Sequence, residues 1–327
     1  MQKFLHNSFA TVVLVGAALA TPAHATLMLT ATGIADGFSL STFYSGGTIS
    51  GNYDILSLAN LSDGALVAAG WQSNRFYKLN DVDNQTPANL TTFVPAGGAP
   101  LTATVNGQTY VGLLGGGYYK MDAALNKTPL TLTIPVAASY GLWGNPVNGH
   151  LVAGSNHGLI DINPTTGTWV QIGPTGTDGV TVSPDGTIAY AEVGGCIKGY
   201  SLTSPNPAVA VLTSCAGHSP DGTGVISGGL FNGDIIVNNN DGTVGLIDKV
   251  SGLESIIATG GTRGDLVSPD LSNGTLFLSF YDEVYRLSCG PGCAIGTTPT
   301  PGVPEPASLA LFGLGIAGLG FSRRRKA

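Results

Sequence analysis

Charge is what this 327-residue chain has least of. Asp, Glu, Lys and Arg together make up 10% of it, against roughly a quarter in an average soluble protein. Low charge with 43% apolar residues excludes a disordered chain, because disorder needs high charge and little apolar surface. Five of the 13 bases sit at the two ends. Between Thr26 and Val303 only eight Lys and Arg face 19 acids, a net charge of −11. A body that acidic repels nucleic acid and anionic lipid, and it holds no basic run with interleaved aromatics. Nucleic acid is excluded as a partner. Histidine is scarce too: past the first 25 residues there are only His150, His157 and His218. No G-x-S-x-G, H-E-x-x-H, P-loop or EF-hand loop occurs, which removes the common motif-borne nucleophile, zinc, nucleotide and calcium chemistries. The 19 Pro follow no G-X-Y period, so the 49 Gly do not signify collagen. Abundant glycine among many short apolar runs points to an all-β protein.

Both ends read as addresses. Residues 1–25 open with Lys3, continue through the apolar stretch Phe9–Ala20 and end on Ala23-His24-Ala25. These are the three regions of a secretory signal peptide, with an A-x-A site for signal peptidase. Export then runs through the general secretion machinery, and the mature chain begins at Thr26. The alternative, an uncleaved anchor, meets an apolar stretch too short for an ordinary span. At the other end, Val303-Pro304-Glu305-Pro306 precedes an apolar run, Ala307–Phe321, and a basic cluster, Arg323–Lys326. At 1.5 Å per residue that run covers about 22 Å, short of the roughly 30 Å hydrocarbon core. It suits a transient transmembrane helix better than a permanent one, with its bases on the cytoplasmic side.

The order of this tail resembles the PEP-CTERM sorting signal of Gram-negative bacteria: Pro304, Glu305 and Pro306, then the Gly/Leu/Ala span, then Arg323, Arg324 and Arg325. The resemblance implies recognition by an exosortase-type membrane protease and cleavage near the motif. It also implies transient inner-membrane anchorage, followed by delivery to the outer surface or the extracellular matrix. It covers residues 304–327 and implies nothing about the body.

Residues 296–303 are a Thr/Pro/Gly linker, which leaves 26–295 as one domain. Six segments of it share a form, an Asp or Asn, a Gly, then an apolar strand. Their glycines are Gly64, Gly107, Gly149, Gly186, Gly233 and Gly274, spaced 43, 42, 37, 47 and 41 residues apart. Asn-Gly and Asp-Gly suit type I′ hairpins, which want positive φ at both central residues. Four short strands in about 42 residues is the period of a β-propeller blade. The sixth repeat lacks a fourth strand, and either Leu27–Ile34 or Phe38–Tyr44 is available to supply it and close the ring. The expectation is a six-bladed β-propeller; a two-sheet sandwich or a solenoid is the alternative.

Four Cys allow three pairings. The blade scheme selects Cys196–Cys215, where a third and a fourth strand meet, and Cys289–Cys293, which flank Gly-Pro-Gly. An exported chain keeps such disulfides, and nothing demands a zinc site. Asp178, Asp185, Asp221 and Asp241 all precede Gly and read as turn residues. Ser183-Pro184-Asp185-Gly186-Thr187 resembles a turn found in gluconolactonase-like and NHL-like propellers. The gluconolactonase-like resemblance implies a divalent cation held by acids and amides in the central channel, with no ligand set that transfers to numbered positions here. No other cofactor is called for.

One loop face of the ring carries the tight Asx-Gly hairpins. The other gathers Trp71, Asn74, Asn156, His157, His218, Asp221, Asn240, Asp241 and Asp282, the candidate binding residues. Amides, His and acids with few bases suit sugar hydroxyls or a weakly held cation. The first reading is therefore an exported, non-enzymatic propeller binding an exopolysaccharide or a surface protein. A divalent-ion-dependent hydrolase or lyase at the channel mouth is the second, and a purely structural matrix protein the third. The enzyme requires acids or His converging on one mouth. The binding module requires exposed aromatics and amides there, and the structural protein requires neither.

Overall fold

The computed structural model describes residues 26–46, 55–281, 283–290 and 293–295. The signal peptide, the linker and the sorting tail lie outside them.

Six antiparallel sheets follow one another around a ring, and the first strand of each lies innermost. The innermost strands are Ser57–Asn60, Pro100–Val105, Ala138–Gly144, Thr177–Val182, Pro220–Gly228 and Gly264–Asp270. Each packs against the next, and the sixth packs against the first. Strands sandwiched between neighbours bury both faces, so they read as short continuous apolar runs rather than alternating ones. Pro100–Val105, for example, is buried at every position. The chain is a six-bladed β-propeller, as the 42-residue period predicts.

The fourth repeat shows the expected blade: Thr177–Val182, Ile188–Val193, Ile197–Ser201 and Leu212–Ser214, paired in that order. Its hairpin chemistry differs from the expectation. Only Asn106-Gly107 has positive φ at both residues, at 51° and 72°, in a two-residue turn between Val105 and Gln108. In the other five pairs only the glycine is left-handed. There the preceding Asp or Asn caps the turn instead: Asp185 Oδ1 accepts from Thr187 N at 3.1 Å, and Asn273 Oδ1 accepts from Thr275 N at 3.1 Å. These loops are longer than two residues, so one glycine suffices to reverse the chain.

Closure uses the N-terminal segment. Ser39–Ser45 pairs with Glu283–Ser288 and becomes the fourth strand of the last blade. The other spare segment also finds a place, since Met28–Leu29 adds a fifth strand to blade five on Glu254–Thr259. Cys293–Ile295, beyond the last blade, pairs with the far end of Pro220–Gly228. The seam between last and first blades is locked by Arg286, which is 8% exposed. Its guanidinium donates to Asp81 at 2.6 Å, to Asp83 at 2.8 Å and to fully buried Asp270, and it lies against the Phe43 and Phe277 rings. Asn60 Nδ2 completes the seam, donating to Asp270 Oδ1 at 3.1 Å.

Both expected disulfides are present, Cys196–Cys215 and Cys289–Cys293, with Cα separations of 4.4 and 5.7 Å. Among the described residues no helix is long and apolar enough to cross a membrane.

Candidate functional site

The inner strands of blades four, five and six begin alike, with Asp178-Gly179, Asp221-Gly222 and Asp265-Leu266. The cause is how closely these strands approach. A β-carbon on Gly179 would stand 2.0 Å from the Asp221 carbonyl oxygen, and one on Gly222 would stand 2.3 Å from that of Asp265. Without those side chains the backbones nearly touch, and the three aspartates are drawn to one mouth of the channel. They line a cavity of about 310 Å³ whose remaining wall includes Leu56, Trp71, Tyr140 and Arg263. The Trp71 and Tyr140 rings lie 5.9 Å apart, tilted by 32°.

The site is crowded with carboxyl groups. Asp178 and Glu192 are direct cross-strand partners, and like charges so placed repel. Burial, then Asp221 and Asp265, push the Asp178 carboxyl up to about 8. Asp221, 5% exposed, is also raised by burial, partly offset by Arg263. Arg263 Nη2 stands 3.4 Å from Asp221 Oδ2, while its Nε donates to Asn240 Oδ1 at 2.5 Å. Asp178 Oδ1 accepts from Gly179 N at 2.8 Å, and Asp265 Oδ1 accepts from Leu266 N at 2.9 Å.

The candidate residues divide. Trp71 and Asp221 line this mouth, and Asn240 orients its arginine. His218 Nδ1 pairs with Asp241 at 2.9 Å on the loop beside it, joined to Asn240 by the bond from Asn240 N to the Ser219 carbonyl. The rest lie apart. Asn74 is exposed in a left-handed turn, where its carbonyl accepts from Ala96 N. Asn156 caps the Ala137 backbone, and His157 rests on Trp169 with ring centroids 5.3 Å apart. Asp282 lies outside the described residues.

The turn reading holds for Asp185 and Asp241, whose carboxylates accept turn amides. It is wrong for Asp178 and Asp221, which stand on inner strands. Only residues 215–219 join the last strand of blade four to the inner strand of Asp221, which starts at Pro220. Asp265 went unnoticed in the sequence. Its signal was the spacing: Asp178, Asp221 and Asp265 recur 43 and 44 residues apart, each at the head of an inner strand.

The comparisons agree with both halves of this description. The PEP-CTERM protein-sorting motif model matches residues 302–326. The chain carries a PEP-CTERM sorting motif. Its body is similar in fold to a gluconolactonase from Xanthomonas campestris, at 13% identity and a TM-score of 0.59, over 81% of this chain and 95% of that one. A second solved structure, described as a putative gluconolactonase, aligns at 11% identity and a TM-score of 0.56 over 81% and 98%. A comparison with curated proteins finds no match. At these identities the likeness shows the fold alone.

That fold raises the divalent cation expected for the channel. Acidic and imidazole side chains alone do not build a site for one. Among the described residues no three His, Cys, Asp or Glu side chains converge to hold a metal ion. The guanidinium of Arg263 also stands beside Asp221, where a cation would compete with it.

Proposed function

We propose that this chain is an exported, PEP-CTERM-sorted propeller that binds a glycan of the extracellular matrix at its channel mouth. The observation that carries the reading is the convergence of Asp178, Asp221 and Asp265 on one cavity walled by Trp71 and Tyr140. Aromatic faces stack on the apolar faces of sugar rings, and carboxylates accept from sugar hydroxyls. A cavity of about 310 Å³ suits a sugar ring better than a bare ion. The PEP-CTERM tail supports this setting, since it implies exosortase as a processing partner and delivery to the cell surface.

Retention on the producing cell's own extracellular polysaccharide tests it. The parent is expected to be retained, and Trp71→Ala and Asp221→Asn are each expected to elute early while keeping the parent's melting temperature. Equal retention of parent and both variants would assign the binding elsewhere or nowhere.

One observation favours an enzyme as a second reading. Burial, with Asp221 and Asp265 nearby, pushes the Asp178 carboxyl up to about 8, which suits a general acid at neutral pH. Turnover of a glycosidic or lactone substrate that is lost in Asp178→Asn would establish it.

A further inference from the structure

The charge balance of the mouth narrows the ligand further, taking the glycan-binding reading as its basis. Three carboxyls line the cavity and a fourth, Glu192, faces Asp178 across the strand pair. Arg263 is the only cationic side chain among the described residues that line it. Even with Asp178 holding its proton to about pH 8, three carboxyl groups stand against the one guanidinium of Arg263. An anionic sugar would be repelled by this field. A neutral one would cover these carboxyls without balancing them, which is costly in a low-dielectric cleft.

A metal ion is a poor complement. It would need six or more oxygens at about 2.3 Å, whereas the carboxyls here are spread over three blades and one wall is aromatic. A primary ammonium makes other demands. It donates three divergent hydrogen bonds at about 2.8 Å and needs no closed shell of six oxygens. Its charge is also attracted to aromatic rings, and Trp71 and Tyr140 line the same cavity. From these placements we infer that the channel mouth recognises an amino sugar, a pyranose bearing a free primary ammonium, with the ammonium among Asp178, Asp221 and Asp265 and the ring against Trp71 and Tyr140. An ammonium there also favours the ionised form of Asp178, which burial disfavours.

The test uses protein purified from medium after expression of the full chain. Glucosamine tetramer, N-acetylglucosamine tetramer, cellotetraose and propylamine are titrated by calorimetry at fixed ionic strength. Glucosamine tetramer is expected to bind at least about tenfold more tightly than its acetylated counterpart, which differs in the ammonium. This comparison uses the parent protein and depends on no variant. Asp178→Asn and Asp265→Asn are each expected to shrink the preference to under about threefold, while Asp122→Asn, exposed and remote from the mouth, retains it. Equal binding of the acetylated and free-amine tetramers would overturn the inference, as would a preference unchanged in both variants. Propylamine binding as tightly as the tetramer would overturn the sugar half of it. If cellotetraose binds equally and Trp71→Ala abolishes this, the glycan reading survives and the ammonium falls. If no sugar binds, both fall.

Discussion

The Asp221 carbonyl oxygen lies where Gly179 has no side chain: a β-carbon there would stand 2.0 Å from it. Gly179 is also left-handed, at φ 41°. The contact therefore sets both the spacing of blades four and five and the position of two of the three mouth aspartates. Gly179→Ala must push the inner strands apart, and the expected loss is about 3 kcal/mol from strain and overpacking together. Gly176, three residues earlier, is left-handed at φ 73° with nothing within 4 Å of a β-carbon. Gly176→Ala is expected to cost about 1 kcal/mol, from backbone strain alone. Urea unfolding midpoints check this, and equal losses for the two variants would contradict the close-approach argument.

Arg286 is the second mechanical point. It satisfies Asp270, which is fully buried, together with Asp81 and Asp83 across the seam. Removing one partner of a buried ion pair leaves an uncompensated charge, a loss of about 3–5 kcal/mol. Arg286→Met keeps most of the side-chain volume and is expected to lose that much in chemical denaturation at pH 7. Part of the loss should return at acid pH, because Asp270 without the guanidinium that lowers its pKa takes up a proton more readily than in the parent. A variant as stable as the parent at pH 7 would mean that the strand pairing of Ser39–Ser45 closes the ring unaided.

Asp178 makes a pH prediction with a definite sign. Its carboxyl titrates near 3.8 when unperturbed and near 8 in the folded chain, chiefly through burial. Below pH 3.8 both states hold the proton and this contribution to stability is complete. Between pH 3.8 and 8 folding must take up a proton, so stability falls as pH rises. Asp178→Asn stays neutral throughout. It is expected to match the parent at pH 4 and to exceed it at pH 8.5, measured as urea midpoints. Parallel pH profiles for the two proteins would show that Asp178 is ionised in the native state.

How much of this was legible in the residues depends on the scale. The ring was, because six Asx-Gly turns at a 42-residue period fit few architectures besides a propeller. Closure was too, since the sixth repeat ran out of strand while Leu27–Ile34 and Phe38–Tyr44 had no partner, although which of the two closes the ring was not. The site was legible only in part. Asp178-Gly179 and Asp185-Gly186 have the same two letters, yet one glycine lets two inner strands touch and the other turns a hairpin. Composition cannot separate those roles. Position can: Asp185 falls between two apolar runs, whereas Asp178 precedes one. Trp71 was singled out for its place after a strand, but its pairing with Tyr140 is a contact between blades one and three that no local pattern encodes.

The Cys pairs differ in what they constrain. Cys196 and Cys215 are 19 residues apart, and Cys289 and Cys293 only four. By chain entropy the longer loop contributes roughly 3 kcal/mol and the shorter one less. The longer bridge also ties the third-strand start of blade four to the loop carrying His218. Cys196→Ser with Cys215→Ser is expected to lower the melting temperature more than Cys289→Ser with Cys293→Ser. Non-reducing peptide mapping of the parent should recover these two pairs, and a Cys196–Cys289 peptide would contradict the strand order.

Sorting gives the last prediction, and the fold constrains where the cuts can fall. Leu27 is 4% exposed and Met28 is already paired with Thr259. Cleavage after Ala25 therefore removes the leader without touching the propeller, whereas a cut a few residues later would strip Met28–Leu29 from blade five. At the other end Cys293–Ile295 is the last strand described, paired with Ile226–Gly228. Residues 296–301 separate it from the motif matched at 302–326, so exosortase-type cleavage near Pro304-Glu305-Pro306 is expected to spare the body as well. Intact mass of the exported protein is expected to show loss of residues 1–25 and of those following the motif. Replacing Pro304, Glu305 and Pro306 with Ala should leave the apolar run attached and the protein in the membrane fraction. Full-length tail on protein recovered from the medium would show that export proceeds without that cleavage.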